Sequence, residues 1–180
     1  MEAQKPQIVI INGTSSAGKS STAEYICKNT EDNFLHFQWD TFLKQLPENT
    51  TLTSEETKDL STAFRKAACE HLSNGQSLIL DVVCVPGEVF KELVDTFSLH
   101  NPITVRIKAS PDTLKEREIE RGDRKTGLAL SQHNAMYEIE QHPEYDLELD
   151  STSTSVEELG QAIMNQLPTH NAKSKNLDLP

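Results

Sequence analysis

The residues with the clearest capacity for chemistry form the stretch GTSSAGKS, which runs from Gly13 to Ser20. It fits the pattern G-x-x-x-x-G-K-[ST], in which successive backbone N–H groups point inward and bind phosphate oxygens. In this pattern Lys19 would reach the β and γ phosphates of a nucleotide, and Ser20 would bind Mg²⁺. We therefore predict a site for ATP and Mg²⁺. The predicted ATP-binding residues of the loop are Gly13, Thr14, Ser15, Ser16, Ala17, Gly18, Lys19, Ser20 and Ser21.

The elements on either side of this loop are those that the pattern requires. Residues 8–11 form an uninterrupted β-branched run, which indicates a strand buried on both faces. A helix is predicted from about Lys19 to Lys28, and the partial positive charge at its N-terminus would also attract phosphate. A chance Gly-Lys-Ser turn is the alternative, but such a turn would not need a strand before it and a helix after it.

A second candidate for chemistry is Asp40, which follows the second predicted strand. In a parallel α/β sheet, ligands bind beyond the carboxyl ends of the strands, so Asp40 and residues 13–20 should share one edge. A carboxylate there could accept the proton of a substrate hydroxyl that attacks the γ-phosphate. The alternative is an N-cap, since Asp is favoured where a helix begins. The neighbouring Phe37, Trp39 and Phe42 could line an acceptor pocket, and core packing is the alternative for the two phenylalanines.

A third candidate is Asp81, which ends the third predicted strand. A carboxylate at the end of an apolar strand is typical of the Walker-B position, where it could bind a Mg²⁺ water or orient the acceptor. A simple strand terminus without a role in chemistry is the alternative.

Three arginines that follow the fourth predicted strand form a further candidate group. Arg117, Arg121 and Arg124 are spaced i, i+4 and i+7, so they lie on one face if the helix continues far enough. Like charges at this spacing repel one another, which favours a face that meets an anion. We predict that this face closes over the ATP phosphates and stabilises transition-state charge. A solvated face is the alternative, because Glu116, Glu118 and Glu120 are interleaved with the arginines and could pair with them.

Strands and helices are predicted to alternate along the whole chain. This alternation is typical of an α/β fold in which helices cover both faces of a parallel sheet. We expect one domain over residues 1–167, with a small lid at about 117–130 and a flexible tail at 168–180. The predicted strands are residues 8–11, 34–37, 78–80, 103–107 and 145–150. The predicted helices are residues 19–28, 53–72, 87–97, 127–141 and 155–167, and another begins at residue 111.

The charge of the chain limits the partners that it can bind. It has 17 basic and 28 acidic side chains, which give a formal net charge of −11. This balance argues against nucleic acid and against an anionic membrane face, so positive groups must be concentrated locally wherever an anion binds. The first residues do not resemble a secretion signal, and the three cysteines have no metal-binding spacing. We therefore expect a cytoplasmic protein with reduced thiols and no membrane span.

Five stretches of the chain resemble the chloramphenicol phosphotransferase-like family of small P-loop kinases. They occur in the family's order and extend from about residue 8 to about residue 165. The loop is common to many families, whereas the pattern RGDR, GLA and Q, with YDLELDST after it, is more specific. The five stretches are INGTSSAGKSS, LHFQWDTFL, LILDVV, ERGDRKTGLALSQ and EYDLELDST.

The resemblance carries expectations about fold and activity. It implies an adenylate-kinase-like, three-layer P-loop NTPase fold whose five-stranded sheet has the order 2-3-1-4-5. It also implies transfer of the ATP γ-phosphate to a hydroxyl, with residues 13–20 on ATP, Asp40 as the base and the arginine segment as a lid. The family's pattern has two successive aspartates after the third strand, whereas this chain has Asp81 followed by Val82.

Two functions of different kinds are compatible with these residues. The first is an ATP-dependent phosphotransferase whose acceptor is a small hydroxylated molecule, either a chloramphenicol-like antibiotic or another metabolite. A nucleotide-sugar kinase similar to the zeta toxins is a variant of it. The second is a nucleotide-binding switch or interaction protein that binds without transfer. Asp40 and the three arginines discriminate between them, because a protein that only binds needs neither a base nor a closing cationic face.

Overall fold

A five-stranded parallel sheet forms the centre of the computed structural model, which describes residues 5–47, 50–84, 87–121, 126–137 and 144–168. Neighbouring strands all pair in parallel, and their spatial order is β2-β3-β1-β4-β5. This confirms the predicted parallel sheet and the order that the family resemblance implied. The strands are β1 (Ile8–Asn12), β2 (Phe34–Gln38), β3 (Ser77–Val82), β4 (Ile103–Lys108) and β5 (Leu147–Asp150).

Helices connect the strands, as the sequence predicted. The helix predicted over residues 127–141 is α6, and residues 138–143 lie outside the described residues. The same holds for residues 122–125 of the predicted lid and 169–180 of the predicted tail. In the part of the chain that is described, no helix is long and apolar enough to cross a membrane. The helices are α1 (Lys19–Asn29), α2 (Trp39–Leu43), α3 (Ser54–Ser73), α4 (Gly87–Thr96), α5 (Pro111–Arg121), α6 (Leu128–Tyr137) and α7 (Val156–Met164).

Side-chain caps fix where three of the predicted helices begin. Thr53 accepts from the backbone N–H of Glu56 at 3.2 Å, while the Glu56 carboxylate accepts from the Thr53 N–H at 2.8 Å. Ser155 and Glu158 form the same reciprocal box before α7. Ser110 caps α5 by accepting from the backbone three residues further on, at 3.2 Å. Each cap satisfies N–H groups that a helix start leaves without an intrahelical partner.

Two apolar layers hold the helices against the sheet, because successive residues of a buried strand point to opposite faces. One layer joins β1 and β4 to α1, α5 and α7, and the other joins β1 and β3 to α3 and α4. The first layer includes Val9, Ile11, Ile26, Ile107, Leu114 and Ile163. The second layer includes Ile8, Ile10, Phe64, Leu72, Leu80, Phe90 and Leu93.

One apolar position on α4 differs from the sequence prediction. The apolar residues of the segment 87–97 recur at helical spacing, which predicts that Val89 lies on the buried face with Phe90 and Leu93, but Val89 is 38% exposed. Consecutive helical residues are turned by about 100° from one another, so only one of Val89 and Phe90 can point directly at the sheet. The larger Phe90 takes that place and is 1% exposed.

Candidate active site

The carboxyl ends of the strands form one edge of the sheet, and the predicted site residues lie along it. Asp81 of β3 is in register with Ile11 of β1 on one side and with Gln38 of β2 on the other. Residues 13–20, here called the phosphate loop, leave β1 at this edge. Asp40 lies in the first turn of α2, directly after β2. The N-cap position of α2 belongs to Gln38, so the alternative interpretation of Asp40 as an N-cap is wrong.

The backbone of the phosphate loop is left-handed at two residues and passes close to β4 at a third. Gly18 has a φ of 93° and Ser16 a φ of 61°, both in the left-handed region, which a residue with a Cβ adopts uncommonly. A Cβ at Gly13 would lie 2.2 Å from the carbonyl oxygen of Ile107. Glycine at position 13 therefore lets the loop pass close to β4, and Gly18 turns the chain into α1.

Two hydroxyls of the phosphate loop are buried without a hydrogen-bond partner in the described structure. They are Oγ1 of Thr14 and Oγ of Ser16, whose residues are 6% and 7% exposed. A buried hydroxyl that lacks a partner costs about 1–3 kcal/mol. The loop can therefore donate hydrogen bonds to a ligand that is rich in acceptor atoms, such as the phosphate groups of a nucleotide.

Lys19 and Ser20 begin α1, and both contact Asp81. The Nζ of Lys19 lies 3.7 Å from Oδ1 of Asp81 and donates to the Thr14 carbonyl oxygen at 2.9 Å. The Oγ of Ser20 donates to Oδ2 of Asp81 at 2.6 Å. The structure therefore brings together Ser20 and Asp81, the two residues predicted to bind Mg²⁺. Binding of the ion itself stays a prediction.

Asp81 has a third neighbour, His36, that the sequence did not single out. The Nε2 of His36 lies 3.3 Å from Oδ2 of Asp81, and its Nδ1 lies 3.0 Å from Nε2 of Gln38. Burial raises the pKa of the Asp81 carboxyl, but the hydrogen bond from His36, the charge of Lys19 and the hydrogen bond from Ser20 together lower it below its ordinary value. Asp81 is thus a carboxylate at neutral pH. The available signal was a polar residue in a strand that ends at this edge.

Asn12, the last residue of β1, is a buried polar hub that the sequence also did not reveal. Its Oδ1 accepts from the backbone N–H groups of Gly13 and Cys84, each at 2.9 Å. Its Nδ2 donates to the Tyr145 hydroxyl at 2.9 Å and to the Cys84 carbonyl oxygen at 3.4 Å. Asn12 therefore joins the phosphate loop to the segments after β3 and before β5. An asparagine directly before the first glycine of the motif was the signal that could have found it.

Aromatic side chains pack on one another beside Asp40. The rings of Trp39 and Phe42 stack with centroids 6.1 Å apart, and Phe64 of α3 lies 4.7 Å from Phe37 and 5.3 Å from Trp39. We call these four residues the aromatic cluster. Phe64 is buried, and the other three are half-buried. The cluster is therefore part of the core and also presents ring surface at the edge where Asp40 lies.

Two of the three predicted arginines lie on α5 in the described structure. The guanidinium of Arg117 donates to the carbonyl oxygen and the hydroxyl of Ser151, at 2.7 and 2.9 Å, and to the carbonyl oxygen of Ser16 at 3.4 Å. It thereby joins the phosphate loop to the turn after β5. Arg121 is exposed one turn further along, and Arg124 lies outside the described residues. Contact of these arginines with ATP stays a prediction.

Glu118, which lies between these arginines, connects α5 to α6. It is 5% exposed, and its carboxylate accepts from the backbone N–H groups of Gly127 at 2.6 Å and Ala129 at 2.8 Å. A carboxylate on the first N–H groups of a helix satisfies donors that have no partner within the helix. The sequence suggested only that Glu118 could pair with an arginine, and it did not indicate this role.

Helix α6 also contacts the phosphate loop. The backbone N–H of Ser15 donates to Oε1 of Gln132 at 2.7 Å. Gln132 is the glutamine of the pattern RGDR, GLA and Q, but it was not among the predicted site residues. The structure therefore adds it to the residues that surround the phosphate loop.

The sequence of this chain matches a protein-family model and a curated relative. Residues 6–168 match the family model described as "Chloramphenicol phosphotransferase-like protein". A curated relative from Mycobacterium tuberculosis (strain ATCC 25618 / H37Rv), named "Putative O-phosphotransferase Rv2636", is 27% identical over 183 residues. The alignment covers 87% of this chain and 80% of the relative.

Solved structures share the fold along most of the chain. The APS kinase CysC of Mycobacterium tuberculosis, in complex with AMPPNP and APS, has a TM-score of 0.67 and 15% identity, with 89% of this chain and 96% of that one covered. The tunicamycin resistance protein of Deinococcus radiodurans has a TM-score of 0.68 and 15% identity, with 92% and 97% covered. These similarities show that the fold is that of P-loop kinases.

Proposed function

The chain belongs to the chloramphenicol phosphotransferase-like family of P-loop kinases, and we propose that it transfers the γ-phosphate of ATP to a hydroxyl of a small molecule. One observation carries this proposal: the phosphate loop, Asp81 and Asp40 lie along a single edge of the sheet. Phosphoryl transfer requires a cradle for the donor, a cation to neutralise charge and a group that receives the acceptor's proton. A protein that only binds a nucleotide requires the cradle and the cation, but it does not require a group that receives a proton.

ATP would bind to the phosphate loop. The buried hydroxyls of Thr14 and Ser16 and the N-terminus of α1 fit a ligand with several anionic oxygens. The complex of APS kinase with AMPPNP, an ATP analogue, supports an adenine nucleotide as the donor for this fold. Lys19 would exchange the Thr14 carbonyl oxygen for the β and γ phosphates.

The donor set at the beginning of α1 fits Mg²⁺. This ion prefers oxygen ligands and is usually bound by one or two carboxylates together with substrate phosphates. Ser20 Oγ and Asp81 Oδ2, which are 2.6 Å apart, would be the ligands that this chain supplies. When bound, Mg²⁺ would neutralise charge on the phosphates. The lowered pKa of Asp81 keeps this carboxyl in the ionised form that a cation needs.

The transfer step would use Asp40 on the acceptor side. The acceptor oxygen attacks the γ phosphorus while the Asp40 carboxylate takes the hydroxyl proton. A new bond joins that oxygen to phosphorus, the bond to the β–γ bridging oxygen breaks, and ADP leaves. Lys19 would stabilise the charge that develops on the transferred group, together with Arg121 and Arg124 if the arginine face closes.

The acceptor would lie between Asp40 and the aromatic cluster. Small-molecule sites are mostly apolar with a few polar groups that fix orientation, and the half-buried rings of Trp39 and Phe42 beside Asp40 supply both. The family description and the tunicamycin resistance protein favour a chloramphenicol-like antibiotic or another small hydroxylated metabolite. The net charge of −11 disfavours nucleic acid as a partner.

The test is product formation from ATP. The purified protein is incubated with ATP, Mg²⁺ and a panel of hydroxylated compounds that includes chloramphenicol, and products are identified by mass. We expect one compound to gain a single phosphoryl group while an equal amount of ADP forms. A Lys19→Met variant, which keeps the side-chain length but loses the charge, is the control for contaminating kinases.

Two results would argue against this function. Binding of ATP without transfer to any compound of the panel would favour a nucleotide-binding switch. Absence of ATP binding would contradict both functions, because the phosphate loop is the basis of each.

A further inference from the structure

Helix α6 places a side-chain amide on the phosphate loop, and the activity proposed above gives that amide no role. Ser15 donates its backbone N–H to Oε1 of Gln132 at 2.7 Å, across 117 positions of sequence. A backbone N–H can only donate, so the oxygen of the amide faces the loop and the Nε2 group points away from this N–H. Within the described residues, no protein acceptor lies within hydrogen-bond distance of that Nε2 group.

The amide lies at the part of the loop where Lys19 acts. The peptide unit between Thr14 and Ser15 accepts from Lys19 Nζ through its carbonyl oxygen, at 2.9 Å, and donates to Gln132 through its N–H. Two side chains therefore bind opposite sides of one peptide. Lys19 of this motif reaches the β and γ phosphates, so Gln132 is within one peptide unit of the residue that contacts the terminal phosphate.

The helix that carries Gln132 is anchored independently of this contact. Glu118 binds its first backbone N–H groups, and Ala129 and Met136 are 1% and 7% exposed in the interior. An anchored helix limits the positions that the amide can take. The two N–H donors of Nε2 are thus held beside the phosphate loop before any ligand arrives.

We infer that Gln132 is a further catalytic residue of this site and contacts the terminal phosphate of the bound nucleotide. Its Oε1 remains on the Ser15 N–H, and its Nε2 donates to an oxygen of the γ-phosphate. This inference rests on the proposed function. Because ADP lacks that phosphate, the contact makes the site select ATP over ADP.

The test compares the affinities of the two nucleotides by calorimetry in the presence of Mg²⁺, without any acceptor. Gln132→Met keeps the approximate length of the side chain and removes both the donor and the acceptor. Gln132→Glu keeps an acceptor for Ser15 N–H but replaces the donor with a negative charge. The control is Gln166→Met, since Gln166 is exposed and lies away from the site.

We expect ATP affinity to fall about tenfold in Gln132→Met, the size of one hydrogen bond to a charged group, and ADP affinity to fall less than about threefold. Gln132→Glu should also lose more ATP affinity than ADP affinity. Equal losses of both nucleotides in Gln132→Met, or unchanged ATP binding in Gln132→Glu, would overturn the inference, because Gln132 would then only brace the loop.

Thermal unfolding shows whether each variant is folded. If Gln132→Met does not fold, the ratio of ATP to ADP affinity in Gln132→Glu decides by the same criterion. Wild-type protein that binds neither nucleotide would contradict the proposed function and this inference together. Wild-type binding with an unchanged ratio in the variants would contradict this inference alone.

Discussion

The phosphate loop and the aromatic cluster lie on the same edge of the sheet, and different forces hold them in place. Around the phosphate loop, Lys19 and Asp81 are 7% and 6% exposed, and hydrogen bonds and charge pairs fix their positions. In the aromatic cluster, rings contact rings at centroid distances of 4.7 to 6.4 Å, and three of the four side chains are half-buried.

The difference indicates how each region responds to change. A buried polar network must be satisfied at every atom, since an unpaired group costs about 1–3 kcal/mol. Ring packing is less directional, so a substitution there changes shape without leaving an unpaired charge. We therefore expect the phosphate loop, which would form the nucleotide side of the site, to tolerate few substitutions. The aromatic cluster, which would form the acceptor side, is where substrate specificity can vary on a common fold.

The largest effect should come from Asp40→Asn, which tests the acceptor side without touching the phosphate loop. An amide cannot take the acceptor proton, so kcat should fall by about 10²- to 10⁴-fold. ATP affinity should change less than about twofold, because Asp40 lies outside the phosphate loop. Steady-state turnover and calorimetric ATP binding measure the two quantities.

The matched control for this change is Asp59→Asn on α3, since Asp59 is exposed. Full turnover in Asp40→Asn would remove the base from the proposed mechanism. A parallel loss of ATP affinity would show instead that Asp40 belongs to the nucleotide side.

Gly13→Ala should have the next largest effect, and it tests how few substitutions the phosphate loop tolerates in comparison with the aromatic cluster. Its Cβ would lie 2.2 Å from the Ile107 carbonyl oxygen, so the loop or β4 must move. We expect the free energy of unfolding to fall by about 3 kcal/mol. Chemical denaturation followed by circular dichroism measures it.

Gly75→Ala separates steric contact from backbone strain. Gly75 has a φ of 81°, and in the described structure no atom beyond its chain neighbours lies within 4 Å of its Cβ position, so only the left-handed backbone is penalised, by about 1 kcal/mol. If Gly13→Ala and Gly75→Ala lowered the free energy of unfolding equally, close packing of Gly13 against β4 would add nothing to the cost of the substitution.

Asn12→Ala should have a smaller effect and would break the connection of the phosphate loop to the segments after β3 and before β5. The substitution leaves the N–H groups of Gly13 and Cys84 without their acceptor, at a cost of about 2 kcal/mol in unfolding free energy. Asn29→Ala at the exposed end of α1 is the control and should cost less than about 0.5 kcal/mol. Similar stability of the two variants would show that Asn12 is not a structural hub.

The smallest change, taken per pH unit, concerns Cys84, whose backbone N–H donates to Asn12. Burial raises the pKa of its thiol from 9.0 to about 12, against the opposing charges of Lys19 and Arg65. The folded state thus keeps a proton that the unfolded state releases. Stability from this group is complete below about pH 9 and is lost as pH rises towards 12.

Denaturation at a series of pH values compares wild type with Cys84→Ala. Between about pH 10 and 11, wild type should lose about 1.4 kcal/mol more per pH unit than the variant. Identical slopes for the two proteins would show that the thiol is not buried from water.

Much of the fold could be predicted because its determinants are local. The alternation of strands with helices follows from apolar spacing, and the capping boxes at Thr53 and Ser155 lie within four residues. The strand order came from resemblance to a family, since no spacing in a single chain determines which parallel strands are neighbours. The exposure of Val89 was missed because a helical period identifies a face but not its centre.

The candidate site was predictable where one short segment holds several of its groups. GTSSAGKS specifies a loop, a lysine and a hydroxyl by itself. His36, Asn12 and Gln132 were missed, because their contacts span 45, 72 and 117 positions. Each contact joins a polar residue to a partner far away in the sequence, so the neighbouring residues do not specify which partner it has.

The sequence by itself therefore determined a phosphate loop between a buried strand and a helix, within an α/β chain. A contiguous motif sets backbone geometry and side-chain chemistry through neighbours only a few residues away. Only the tertiary structure decided that Asp81 contacts Ser20, that Asn12 joins three segments and that Gln132 binds the Ser15 N–H. Those contacts depend on strand order and helix packing, which sum many weak interactions over the whole chain.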